Sequence, residues 1–192
     1  MIKRKVTDNS FYWSKLSLRR YFLTKYFCKK HFDILDCCCG SGKIWGKLRK
    51  EYNCSYMGVD IKPIRGHLKI DSRKLLKANT GEFDVIDIDV YGSPLRYLDI
   101  LLPLIKKQII LFLTFGKVGG WGYDRIINNI LGIKFDIPPT IGASINSRFL
   151  EEILAGQINK FAKIIECRES PCSRNARYIG VVVFPKKRLD EK

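Results

Sequence analysis

Histidine and acid are both scarce in this sequence, and each shortage excludes a class of function. His31 and His67 are the only histidines and no two cysteines stand at C-x-x-C spacing, so no zinc site, and no metal, is expected. The seven cysteines do not read as a disulfide framework. Cys37, Cys38 and Cys39 are consecutive, too close along the chain to bridge without strain, and buried thiols in a reducing cytoplasm are the simplest account of them. The longest apolar runs, 109–115 and 178–184, fall far short of the ~20 residues that cross a bilayer. Basic Met1-Ile2-Lys3-Arg4-Lys5 is followed by no apolar stretch, so no secretion signal and no membrane partner are expected. There is no G-x-x-x-x-G-K-[ST] run, which excludes a P-loop NTPase.

The shortage of acid leaves a large positive excess. Thirty-five Lys and Arg against 19 Asp and Glu give +16 and a pI near 9.6. An excess of this size fits a polyanionic partner, because cations on phosphates release condensed counterions. It is concentrated: residues 1–31 hold nine Lys or Arg and a single acid, Asp8. Charge by itself leaves nucleic acid and an anionic membrane surface both open.

At 192 residues with 46% hydrophobic composition, the chain can fill one core, and it reads as one domain. Residues 1–31 form a basic helical extension, with a helix expected over 14–31, and 32–192 the domain proper. Strands are expected over 32–38, 54–60, 67–70, 83–89, 108–115, 162–168 and 177–184. Helices are expected over 43–52, 95–107, 123–131 and 149–161. Short β-rich runs alternating with helices predict an α/β fold with a parallel sheet covered on both faces.

Four acids stand at successive strand ends. Asp36 lies four residues before Gly40-Ser41-Gly42, a turn that lets backbone N–H groups approach a ligand at a helix N-terminus. Asp60 ends the second strand, 18 residues beyond Gly42, where a carboxylate can accept both ribose hydroxyls of a nucleoside. Asp71 ends the third and Asp89 the fourth. Ligands of open α/β sheets bind outside the carboxyl ends of the strands, so the four acids are expected to converge on one crevice. Singly, each also reads as a turn or helix-cap residue.

With these features on it, the stretch 32–115 resembles the S-adenosylmethionine-dependent methyltransferases, and the C-terminal strands do so more loosely. The resemblance implies a Rossmann-like three-layer sandwich with a mostly parallel seven-stranded sheet and an antiparallel C-terminal strand. It implies S-adenosyl-L-methionine as cofactor, with Asp36, Cys38, Gly40, Ser41 and Gly42 at its methionine part. Asp60 and Ile61 then take the ribose, and Asp71 and Ser72 line the adenine. Cys38 stands where many members carry the first glycine, and the form Cys38-Cys39-Gly40-Ser41-Gly42 is familiar among those acting on nucleic acid.

Ile86-Asp87-Ile88-Asp89-Val90-Tyr91-Gly92-Ser93-Pro94 is similar to the D-x-D-P-[FY]-G-S-P signature of the tRNA guanine-N2 methyltransferases, with Val90 in the place of proline. An exocyclic amine is a poor nucleophile because its lone pair is delocalised into the base. An acceptor of its N–H, here Asp89, can turn the lone pair towards an electrophile and relieve developing charge. Tyr91 is expected to stack on an extruded base, or else to be a buried strand-end aromatic. Asp87 is assigned structural hydrogen bonds. Tyr12 and Trp13 offer a second stacking wall among Lys3, Arg4, Lys5, Lys15, Arg19 and Arg20, a phosphate-facing set; the alternative is a helix packing its aromatics on the core. The expected function is methylation of an exocyclic base amine, RNA favoured and within it guanine N2 of tRNA, with a DNA amino-methyltransferase and a catalytically degenerate RNA-binding member as alternatives.

Overall fold

The computed structural model describes residues 11–62, 67–79, 82–90, 92–116, 147–170 and 176–186. Among them, seven strands form one sheet: β1 Phe32–Asp36, β2 Cys54–Asp60, β3 Leu68–Lys69, β4 Val85–Ile88, β5 Ile109–Gly116, β6 Ala162–Ser170 and β7 Ala176–Pro185. Their order is β3-β2-β1-β4-β5-β7-β6. The first five run parallel, and β7 lies antiparallel between β5 and β6. The order reverses between β1 and β4, the kind of switch point at whose carboxyl ends open α/β sheets bind ligands.

Alternate residues of the strands feed two cores, which is why the central strands are mostly hydrophobic on both faces, Asp36 and Asp87 excepted. Ile34, Val85, Ile110, Phe112 and Val182 face one way. There they meet helix α1 (Tyr12–Phe27) through Leu16, Phe22 and Leu23, and helix α2 (Lys43–Leu48) through Ile44, Trp45 and Leu48. Leu35, Ile86, Ile88, Leu111 and Val181 face the other way. They meet Leu76 of α3 (Ser72–Asn79), Leu95 and Leu98 of α4 (Leu95–Leu101), and Leu154 and Ile158 of α5 (Ser147–Ile158). The result is the three-layer sandwich with a mostly parallel sheet that the sequence implies.

Boundaries differ from expectation where local geometry intervenes. Helix α1 starts at Tyr12 and ends at Phe27, four residues early, where Lys29 adopts φ +66°. Helix α2 stops at Leu48 because the next residues tighten into i→i+3 bonds, Lys50 N to Lys47 O and Glu51 N to Leu48 O. The helix expected over 95–107 gives way to a 3-10 turn at Leu102–Leu104, with Pro103 inside it. Strand β4 ends at Ile88, so Asp89 and Val90 lie just past it. The helix expected over 123–131 lies outside the described residues.

Helix α1 crosses β6 and β7 close to the backbone. A Cβ on Gly180 would sit 2.3 Å from Cε2 of Phe22, so a side chain there would displace the ring. Ser170 Oγ donates to Ser14 O, and the hydroxyls of Tyr21 and Tyr26 donate to Glu166.

Candidate functional site

The turn after β1 is bound to the end of β2. Gly40 and Gly42 take φ +52° and +63°, the left-handed region that favours glycine. The Gly40 N–H then donates to Asp60 Oδ2 at 3.1 Å, while Asp60 Oδ1 accepts the N–H of Lys62 at 2.8 Å. A Cβ placed on Gly40 would meet nothing within 4 Å, so the turn borders open space. Ser41 is exposed, and Ile61, next to Asp60, is 63% exposed, an apolar side chain without cover at the lip of that space.

The first residue of α3 comes to the same turn. Ser72 is buried, its hydroxyl opposes the upward push of burial on the Cys38 thiol and the Tyr97 phenol, and Cys38 Sγ lies 3.7 Å from the Tyr97 hydroxyl. Asp71 is engaged differently. Its Oδ1 accepts the N–H and Nε–H of Arg73 at 3.0 Å each, and Oδ2 accepts NH2 of Arg73 at 2.7 Å. Those bonds to Arg73 hold its carboxyl below the ordinary value. Asp71 therefore serves as a helix-start cap, one of the two readings its position allowed. Burial pushes the Cys38 thiol up to about 11 and the Cys39 thiol up to about 12. Both stay protonated at neutral pH and are poor nucleophiles or metal ligands. Among the described residues no group of three His, Cys, Asp or Glu could hold a metal ion, and no helix is long and apolar enough to cross a membrane.

On the α1 side of the sheet, β1 and β4 bring three carboxyls together. Asp36 and Asp87 pair in register, and Asp89 follows on the same face. Burial, and then the charge of Asp87, push Asp36 well above the carboxylate range, and the Tyr56 hydroxyl donates to its Oδ2 at 3.0 Å. Asp87 is buried and accepts Nε and NH2 of Arg19 at 2.8 Å each and the Trp45 indole N–H at 2.7 Å. Asp89 Oδ2 lies 2.5 Å from Lys15 Nζ, and its side chain is 26% exposed. Burial would raise its pKa, but Lys15 and Arg19, with a hydrogen bond from Thr114, hold it below the ordinary value.

The expected phosphate-facing set is corrected at two residues. Arg19 is 2% exposed and Lys15 8%; their charges are spent on Asp87 and Asp89 inside the domain, because an unpaired charge could not be buried there. Arg20 is at the surface but clamps Glu51 through two bonds of 2.8 and 2.7 Å. Trp13 is 69% exposed, with half-buried Tyr12 edge-on to it at 5.3 Å. Lys3, Arg4, Lys5 and Tyr91 lie outside the described residues.

Sequence reasoning missed the partners of the strand acids, yet a signal was present. Residues i and i+2 of a strand are about 6.6 Å apart and residues i and i+4 of a helix about 6 Å apart. Asp87 and Asp89 on a buried strand therefore call for two cations four residues apart on a covering helix, which Lys15 and Arg19 supply. Tyr56, Tyr97 and Trp45 carried no comparable mark. His67 also went unassigned; its ring seats against Gly42 and Gly58, where added Cβ atoms would approach it to 2.8 and 2.5 Å. A cavity lined by Asp33, Ser55, Tyr56, Met57, Glu82 and Phe83 opens beside the starts of β1 and β4. The strand-end chemistry lies at the opposite edge, where open α/β sheets bind ligands.

The sequence matches no protein-family profile and no curated protein. Solved structures share the fold at low identity. Trm1 from Pyrococcus horikoshii, in complex with S-adenosyl-L-methionine, superposes with a TM-score of 0.63 at 15% identity, over 89% of this chain and 54% of that one. The plantazolicin methyltransferase BpumL, in complex with SAH, gives 0.58 at 14% identity over 92% and 84%. The candidate methyltransferase yhhF from Escherichia coli gives 0.52 at 10% identity over 90% and 86%. The chain spans about half the length of Trm1. The shared architecture is a Rossmann-like three-layer fold.

Proposed function

We propose that this chain is an S-adenosylmethionine-dependent methyltransferase acting on an exocyclic amine of a nucleic-acid base, with an RNA guanine or adenine amine as the favoured acceptor. The observation that carries the reading is Asp89. It is an ionised, partly exposed carboxylate just past the carboxyl end of β4, beside the switch point and the glycine turn.

The open space over Gly40 fits the cofactor, and two structural neighbours are bound to S-adenosyl-L-methionine or SAH. Asp60 would take the ribose hydroxyls with oxygens already oriented by Gly40 and Lys62. Exposed Ile61 would cover one face of the adenine, and Ser72 would line its edge. S-adenosylmethionine bound there supplies an electrophilic methyl group on a sulfonium. Asp89 accepts an N–H of the target amine, turns its lone pair towards the methyl, and relieves the positive charge that develops on nitrogen. Holding both reactants in line is worth up to roughly 7–11 kcal/mol of the barrier. Exposed Trp13 offers a stacking surface worth about 1–3 kcal/mol per base.

The fold alone does not select the acceptor, since Trm1 and a plantazolicin methyltransferase share it. The charge of +16 and the carboxylate in the acceptor position favour a base in a polyanion. The test is incubation with methyl-labelled cofactor and separate pools of tRNA, rRNA and DNA, followed by nucleoside mass spectrometry. An N-methylated base in an RNA pool is expected, and one in DNA would move the assignment to the DNA amino-methyltransferases. Saturable cofactor binding without transfer to any pool would overturn the enzymatic reading in favour of an RNA-binding module.

A further inference from the structure

Asp89 is left by its own strand in an unfavourable place. Asp87 shares its face two residues back and Asp36, whose carboxyl burial pushes well up, stands across from Asp87 on β1, so three acids converge there and burial disfavours charge on each of them. Arg19, also on α1, is committed to Asp87 through Nε and NH2. Thr114 of β5 helps to hold the Asp89 carboxyl down but brings no charge. Tyr178 of β7 faces the pair with its ring, whose centroid is 4.7 Å from Lys15 Nζ. Lys15 is thus the cation matched to Asp89, at 2.5 Å from Oδ2, with a side chain 11% exposed.

Lys15 is fixed from several directions. Its N–H donates to Phe11 O at 3.1 Å and its carbonyl accepts NH1 of Arg19 at 3.0 Å. The preceding carbonyl, Ser14 O, is tied to Ser170 of β6 at 3.1 Å. A lysine bound in this way by both neighbours is not a phosphate-tracking arm. It is a preset charge aimed at one carboxylate oxygen.

We propose that Lys15 is a positioning residue of the acceptor site: it keeps Asp89 ionised and fixes the plane of its carboxylate, so that the first helix belongs to the catalytic apparatus. The functional half of this rests on the methyltransferase reading above; the charge relation between the two residues does not. A neutral Asp89 would present a hydroxyl that can donate to an amine instead of a carboxylate that accepts from it, so the pairing sets which direction the hydrogen bond runs.

The test uses the full chain as wild type, Lys15→Met and Lys15→Arg, with 13C-carboxyl aspartate and the Asp89 resonance assigned by Asp89→Asn. In Lys15→Met the Asp89 titration midpoint is expected to rise by about 1–3 pH units, the usual reach of an opposite charge at this distance. In Lys15→Arg it should stay near the wild-type value. The acid limb of the kcat profile should move with the midpoint, which loss of packing alone would not produce. An unmoved midpoint in folded Lys15→Met overturns the proposal. So does a wild-type midpoint at or above the ordinary aspartate value of about 3.9, a measurement that stands even if the Met variant does not fold. A shifted midpoint in a protein that methylates no nucleic acid would sink the acceptor reading and leave the ionisation result standing.

Discussion

Arg19 and Asp87 meet as a two-pronged pair, Nε to Oδ2 and NH2 to Oδ1 at 2.8 Å each, with both side chains at most 3% exposed. The Trp45 indole N–H completes the coordination of Oδ2 at 2.7 Å. The pair fastens the first helix to β4, the strand that leads into Asp89.

Breaking that pair from one side leaves an uncompensated buried charge. Arg19→Met is expected to lower stability by about 3–5 kcal/mol, read as a fall in the urea midpoint with little change in slope. A loss under about 1 kcal/mol would mean that water or another cation reaches Asp87 in the folded chain.

Asp60 accepts two backbone N–H groups and still presents its carboxylate to the open space over Gly40. Asp60→Ala should weaken S-adenosylmethionine binding by about 1–3 kcal/mol, the worth of a hydrogen bond to a charged group. Calorimetry checks it, and unchanged affinity would contradict the ribose role.

Asp89→Asn keeps the shape and removes the charge. Turnover should fall by about 10²–10⁴-fold, the contribution of a positioned proton acceptor, while cofactor affinity stays within about twofold, well under the ~1.4 kcal/mol of a tenfold change. An active variant would remove Asp89 from the mechanism.

Glu166 gathers Lys25 Nζ and the hydroxyls of Tyr21 and Tyr26 within 2.7 Å. Burial would raise its carboxyl, but these partners outweigh burial and hold it at about 2. A carboxyl depressed on folding adds stability that is complete above its unfolded value, about 4.3, and is lost as pH falls through that value towards 2. Glu166→Gln should therefore cost about 1–3 kcal/mol at pH 7, with the gap to wild type closing as denaturation is repeated at lower pH. A gap independent of pH would assign the loss to packing.

The strands were legible because buried parallel strands write themselves as apolar runs, as in 109–115; their order in the sheet was not. The glycine turn was legible because Gly40 and Gly42 occupy the left-handed region. The destination of Lys15 and Arg19 was not. Nine cations in 31 residues look like a surface, and composition does not reveal that two of them answer acids some 70 residues away. Asp71 was ambiguous for another reason: a strand-end acid and a helix cap occupy the same sequence position, and only the bonds from Arg73 separate them.

The bare backbone of Gly180 beneath Phe22, and the bond from Ser170 to Ser14 across 156 positions, have a consequence for how the chain is assembled during synthesis. The first helix leaves the ribosome long before the two strands it must rest on. Until they arrive, Phe22 lacks its seat on Gly180 and the Ser14 carbonyl lacks its donor from Ser170. Contacts of such long range close slowly, so the seating of the first helix on β6 and β7 is a late event of folding, and part of its apolar face stays uncovered until then.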